Sequence, residues 1–268
     1  KDLLGIQLAH PNAGMWTFYQ AIDSGIPTPA EAWQMTRWVD TRIAHIPIRG
    51  KNVPDENLFI LPTTSWLPYQ WSLNNVVVAE NMHTSLAFWL ANRPEAAFAL
   101  FKGTLLDTMF LGLCPGNVGA MTSHDMARGE SQRDFADGIG TTSRALIEGL
   151  FGVKPDALAG ELKIVPGFPN SWNFAKIHHP DFNFEFHRTG TTGTFREVYL
   201  IEPKFSKPMK LNLEICALGT DAEITINGQP AKWNWVQDIF GVQRVLITSD
   251  AAKKYEIMVN WKEAIPKP

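Results

Sequence analysis

The feature that most limits what this chain can fold into is a single change of hydrophobic periodicity. It falls across Gly138–Trp172, GIGTTSRALIEGLFGVKPDALAGELKIVPGFPNSW. Before this stretch apolar residues recur three and four apart, and after it they alternate. Within it, Ala145, Leu146, Ile147, Leu150 and Phe151 keep helical spacing behind Thr141, Thr142 and Ser143, each able to accept a first-turn amide. Gly152 supplies a helix stop and Pro155 makes it firm. A strand over Leu162–Val165 follows, closed by PGFP, whose prolines fix φ and withhold donors. Such a chain is helical first and β second. Its length of 268 residues gives room for two domains.

The helical half reads as hairpins. Met15, Phe18, Tyr19 and Ile22 predict a short helix over Asn12–Ser24 ending at Gly25, and Thr28 is the expected N-cap of a helix over Ala30–Ile43. The stretch from Ala44 to Ser72 carries Pro47, Pro54, Pro62 and Pro68 and shows neither periodicity, which is uncommon for a loop without a function. Asn74–Ala91 predicts a helix apolar nearly all round and therefore buried on most sides. The next helix opens at Pro94 and is one-sided as far as Phe110. A second extended loop, Cys114–Asp137, is polar and holds His124, Asp125, Arg128, Glu130 and Asp137. Beyond the junction, runs such as FNFEFH, REVYLIE, KLNLEICAL and KYEIMVNW, with the Asn227-Gly228 turn between two of the later ones, predict an antiparallel sandwich.

Composition narrows the function. Lys plus Arg number 24 against 27 Asp plus Glu, so no basic stripe exists for a phosphate backbone and nucleic acid is not an expected partner. No apolar run approaches the ~20 residues that span a bilayer. Cys114 and Cys216, the two cysteines, give neither a disulfide framework nor metal-ligand spacing, and both read as packed thiols. The ten tryptophans suit core packing or sugar stacking.

Two runs carry a family resemblance. The junction quoted above, arriving after a helical hairpin and leading into strands, resembles the barrel end of six-hairpin glycosidases. These are the (α/α)6 hydrolases and phosphorylases that include bacterial α-L-rhamnosidases and cellobiose phosphorylases. TTSWLPYQWSLNNVVVAENMHTSLAFWLANRPEAAFALFKG is similar to their fifth hairpin, most like that of a branch in carbohydrate-degrading bacteria. The resemblance implies an α+β multidomain chain: residues 1–158 as helical hairpins of a partial (α/α)6 toroid, then 159–268 as an antiparallel β-sandwich. It implies a glycoside hydrolase of the inverting kind acting on plant or host glycans, with an oligo- or polysaccharide partner, no cofactor, and a periplasmic or secreted location. A closed toroid needs twelve helices, whereas about five precede the strands at ordinary helix and loop lengths. The chain is thus expected to be the C-terminal part of a larger enzyme whose N-terminal remainder carries the family's general acid.

Glycoside hydrolysis needs two carboxyl groups flanking the bond. By its place before the last inner helix Asp125 corresponds to the family's base, with Glu130 and Asp137 as further candidates in the same loop. Glu80, in VVVAENMH, has apolar neighbours that would desolvate it and raise its pKa as a general acid requires. It reads equally as a buried carboxylate paired with arginine. His83 shares its helix face; Glu-x-x-His in a single copy assigns no metal. Trp66, Tyr69 and Trp71 suit sugar stacking or loop anchoring, and Asn74 suits hydroxyl recognition. His83, His124 and Arg128 complete the expected substrate contacts. His178, His179 and Asp181 read as a surface or interface group, and Trp233, Trp235 and Trp261 as sandwich core or a sugar platform. Two other functions stay open. One is a non-catalytic glycan-binding or structural module. The other is a polysaccharide lyase, for which His124, Tyr69 and Arg128 would serve.

Overall fold

The Thr28-Pro-Ala-Glu31 run is a capping box. The Thr28 N–H donates to Glu31 Oε2 at 2.8 Å and the Glu31 N–H to Thr28 Oγ1 at 3.3 Å, satisfying two first-turn donors of helix α2 (Pro29–Arg42). It follows α1 (Met15–Asp23), which buries Met15, Phe18, Tyr19 and Ile22. A computed structural model describes residues 15–50, 52–53, 56–63, 75–111, 123–125, 130–132, 137–191 and 194–264. The chain divides into two compact units, Lys1–Leu150 and Phe151–Pro268.

In the first unit the prolines between α2 and the next helix do not exclude pairing. Strands β1 (Ile46–Pro47) and β2 (Phe59–Ile60) form an antiparallel pair inside the stretch expected to be irregular. The helix expected from Asn74 starts four residues later. Asn75–Val77 is strand β3, as the β-branched Val76 and Val77 favour, and α3 spans Val78–Leu90. Eleven of its thirteen residues are buried, so it is the central helix of its unit, packed against α1, α4 (Pro94–Leu106) and α5 (Asp137–Arg144). α4 buries one side and continues as a π-helical turn, Asp107–Leu111.

The expected Cys114–Asp137 loop also holds strands. β4 (Ser123–Asp125) and β5 (Glu130–Gln132) pair antiparallel and join β3 in a three-stranded sheet. α5 begins at Asp137, so Thr141, Thr142 and Ser143 lie inside it rather than capping it. Their hydroxyls donate back to the carbonyls of Asp137, Gly138 and Ile139, a pattern that bends helices. The helix then widens to a π turn over Ala145–Leu150. Gly149 faces Trp89 there so closely that a Cβ would lie 2.3 Å from its ring.

The second unit is all strand: β6 (Val153–Asp156), β7 (Glu161–Ile164), β8 (Phe174–His179), β9 (Phe182–Thr189), β10 (Arg196–Pro203), β11 (Lys210–Cys216), β12 (Gly219–Ile226), β13 (Gln229–Pro230), β14 (Trp233–Trp235), β15 (Arg244–Ser249) and β16 (Tyr255–Ala264). One sheet runs β13-β12-β16-β10-β9-β8 and the other β14-β15-β11-β7-β6. Pairing is antiparallel except between β11 and β7, which are parallel, a departure from the expected all-antiparallel arrangement. Pro155 is tolerated because β6 is an edge strand. Alternation decides the burial: Phe182, Phe184 and Phe186 on β9 face the core, as do Leu211, Leu213 and Ile215 on β11. The chain is therefore α+β.

Beneath the first sheet lies a buried polar group. Glu197 accepts from Arg188 Nε at 2.9 Å and from Trp261 Nε1 at 2.8 Å. Arg188 also donates to the Asn170 carbonyl and Arg244 to that of Pro166, at 2.9 and 3.2 Å. The PGFPNSW turn is thereby pinned through its backbone oxygens.

Candidate active site

The start of α3 is fixed by Asn81. Its Oδ1 accepts the Leu61 N–H at 2.8 Å, and its Nδ2 donates to the carbonyls of Leu61 and Val77, each at 3.0 Å. This ties the segment after β2 to the first turn of α3. The tie brings Thr63 beside Glu80. Thr63 Oγ1 accepts the Val77 N–H at 3.2 Å, and the hydroxyl is hydrogen-bonded to the Glu80 carboxyl. Glu80 is 4% exposed, and its Oε2 has no partner among the described residues. A buried carboxyl lacking a full set of donors is costly to ionise. Burial accordingly raises the Glu80 pKa to about 7; the Thr63 hydrogen bond opposes the rise and the charge of Asp137 adds to it.

Asp137, the first residue of α5, has a buried Oδ1 that is also without a partner among the described residues. Burial pushes its pKa up, and the Gly138 N–H and its own N–H hold it down. The charge of Asp137 in turn favours the protonated form of Glu80. One turn along α3, His83 lies against Tyr19 of α1, with ring centroids 4.7 Å apart and planes inclined by 31°. Burial, then Glu80 and Asp137, hold the Tyr19 phenol well above its usual pKa. Burial and then Arg144 hold the His83 imidazole below its own. Arg144 pairs with Glu148 at 2.7 Å and Asp23 at 2.8 Å. Near neutral pH the cluster thus offers a carboxyl, Glu80, that holds its proton to about pH 7, beside a neutral imidazole and a neutral phenol.

Three expected residues, Glu80, His83 and Asp137, are brought together. Asp125 and Glu130 are placed by backbone register only: Asp125 stands opposite Glu130 on β5 and opposite Asn75 on β3, the strand that runs into α3. His124 stands opposite Val76 and Ser131 on the same sheet. Trp66, Tyr69, Trp71, Asn74 and Arg128, with Cys114, lie outside the described residues. Tyr19, Thr63, Asp23, Arg144 and Glu148 were not expected. Tyr19 was absorbed in an apolar stripe, whereas the i,i+4 spacing of Arg144 and Glu148 was open to reading. Among the described residues no group of three or more His, Cys, Asp or Glu side chains is placed to hold a metal.

In the second unit His178 Nδ1 lies 3.1 Å from Asn183 Oδ1, and His179 lies 3.6 Å from Asp181, both at exposed positions. Trp261 is buried on Glu197, and Trp233 Nε1 donates to the Ala222 carbonyl at 3.0 Å. Both indoles are used in packing, and Trp235 is half-buried.

The solved structures similar to this chain are glycoside hydrolases. An α-L-rhamnosidase from Dictyoglumus thermophilum matches at 11% identity and a TM-score of 0.44, over 68% of this chain and 21% of that one. A GH127 β-L-arabinofuranosidase from Geobacillus stearothermophilus T6 matches at 12% identity and a TM-score of 0.36, over 95% and 41%. The GH127 β-arabinofuranosidase BT3674 matches at 11% identity and a TM-score of 0.27, over 70% and 33%. The chain spans less than half the length of each. No protein-family model and no curated protein matches it. Among the described residues no helix is long and apolar enough to cross a membrane.

Proposed function

We propose that the chain is the C-terminal part of a glycoside hydrolase acting on an oligo- or polysaccharide, with Glu80 as general acid and Asp137 as general base. The observation that carries this reading is the pair itself: two carboxyl groups from different helices, each with a buried oxygen left without a partner among the described residues, with burial raising both pKa values and holding the proton on Glu80 to about pH 7. A carboxyl that keeps its proton to about pH 7 suits a general acid. Glu80 would protonate the glycosidic oxygen as the anomeric bond breaks, and Asp137 would take the proton of the water attacking from the opposite face, inverting the configuration. Asp125 and Glu130, on the strands joined to β3, are the alternative bases. Trp66, Tyr69 and Trp71 would stack on sugar rings and Asn74 would bind hydroxyls.

In this reading the first unit, Lys1–Leu150, belongs to an (α/α)6 toroid and the second, Phe151–Pro268, to a β-sandwich, so that the expected boundary at 158 moves to just before β6. The contrast between α3, buried nearly all round, and the one-sided α4 supports inner and outer helices. The test is release of reducing sugar from a panel of plant and host glycans, with Glu80→Gln and Asp137→Asn each expected to abolish it. Absorbance from an unsaturated product would instead make the chain a lyase. The deep burial of Glu80 favours a second reading, a glycan-binding module whose acid pair is structural, and glycan binding without any cleavage would establish it.

A further inference from the structure

Arg144 sits at the end of α5 between two carboxylates and an imidazole. Its Nε and Nη2 donate to Glu148 Oε1 and Oε2, each at 2.7 Å. Its Nη1 and Nη2 donate to Asp23 Oδ2 and Oδ1 at 2.8 and 3.0 Å. Two bidentate pairs on one planar fork fix the guanidinium in place. Nη1 also lies 3.5 Å from His83 Nε2. A guanidinium has donors and no acceptor, so His83 Nε2 meets it as a lone pair and the ring proton belongs on Nδ1. The Tyr19 ring against the imidazole holds its plane.

We propose that the Asp23–Arg144–Glu148 clamp holds His83 as the neutral Nδ1–H tautomer and so keeps a second cation away from the Glu80 carboxyl one helical turn earlier. Among the described residues the groups that face His83 are Tyr19 and Asp23 from α1, Asp137 and Arg144 from α5, and Glu148 from the π turn, while Glu80 stands one helical turn before it on α3. Asp23, Asp137 and Glu148 draw the imidazole toward protonation, while burial and Arg144 oppose them. Without the guanidinium His83 would take a proton, and an imidazolium beside Glu80 would favour the ionised carboxylate. Arg144 is thus a positioning residue for the acid. Only the catalytic consequence rests on the hydrolase reading; the tautomer and the state of Glu80 do not.

Long-range ¹H–¹⁵N spectra of the full chain at neutral pH should show His83 protonated on Nδ1 alone. A proton on Nε2 overturns the proposal. In Arg144→Met the His83 titration midpoint should rise and that of the Glu80 carboxyl carbon should fall, while Arg144→Lys restores both toward the unaltered protein. Where Arg144→Met does not fold, Asp23→Asn tests the same clamp with the opposite sign, since losing one carboxylate should lower the His83 midpoint. Unmoved midpoints in the folded variants overturn the clamp, and a moved His83 with an unmoved Glu80 overturns its link to the acid. These readouts need no glycan turnover, so their failure is separate from failure of the hydrolase reading.

Discussion

The two units each bury a glutamate on an element in their interior, and they treat it in opposite ways. Glu197 on β10 is fully buried and accepts from Arg188 and Trp261 on its two oxygens. Glu80 on α3 is almost as buried but, among the described residues, has one oxygen without a partner and no cation paired to it. Burial pushes both pKa values up. What differs is the compensation: an arginine and an indole hold Glu197 as an acceptor, whereas among the described residues the Thr63 hydroxyl alone opposes the rise at Glu80. A satisfied buried acid rigidifies a sheet. An unsatisfied one retains a proton to give.

The largest expected difference is between two isosteric changes. Glu80→Gln should lower glycan hydrolysis by about 10²–10⁴-fold, the usual share of a positioned acid. It should leave stability below about pH 5 within about 1 kcal/mol, because glutamine copies the protonated acid. Glu197→Gln should do the reverse in its own unit. It strands the Arg188 charge in the core, where breaking a buried pair costs about 3–5 kcal/mol. Urea denaturation followed by tryptophan fluorescence checks this, and a change below about 1 kcal/mol would mean the pair is not what holds the PGFPNSW turn.

Next in size is the pH dependence of stability. The Glu80 pKa is raised in the folded chain to about 7 from 4.5, so the folded state binds its proton more tightly. The stabilisation is fully present below about pH 4.5 and is lost as pH rises through 7. The shift is worth about 3 kcal/mol at most. The difference between unaltered protein and Glu80→Gln should therefore fall along that window in denaturation midpoints. A flat difference would place Glu80 in contact with water or with a donor.

The local half of this contrast is legible in the sequence. Thr28 and Glu31 spell a capping box, VVVAENMH places Glu80 among apolar neighbours, and the alternation of FNFEFH puts three phenylalanines on one face. What joins Glu80 to Asp137 is not legible, because residues 57 apart meet only through the packing of α5 on α3. Tyr19 illustrates the same limit, since a phenol at a stripe position looks like core until its neighbours are known. The short strands β1 to β5 escaped because two or three residues carry no period, and their pairing is set by partners distant in sequence. The parallel β7–β11 pair likewise leaves no mark in either strand's alternation.

The smallest expected effect isolates the Thr63 hydrogen bond that offsets the burial of Glu80. Thr63 accepts from the Val77 N–H, and its hydrogen bond to the Glu80 carboxyl favours the ionised form. Thr63→Val removes that donor at nearly constant volume and leaves the Val77 amide without its acceptor. The Glu80 titration midpoint should then rise above about 7, carrying the alkaline limb of any hydrolytic pH profile upward, at a stability cost of about 1–3 kcal/mol. Thr63→Ser keeps the hydroxyl and should restore the midpoint while losing only the methyl contact. The matching change across the molecule, Trp261→Phe, removes an indole donor from Glu197 but leaves Arg188 in place. Its cost should appear as lost stability, with no movement of the Glu80 midpoint. If Thr63→Val moves nothing while Trp261→Phe destabilises, Glu80 has another donor and the two acids are alike after all.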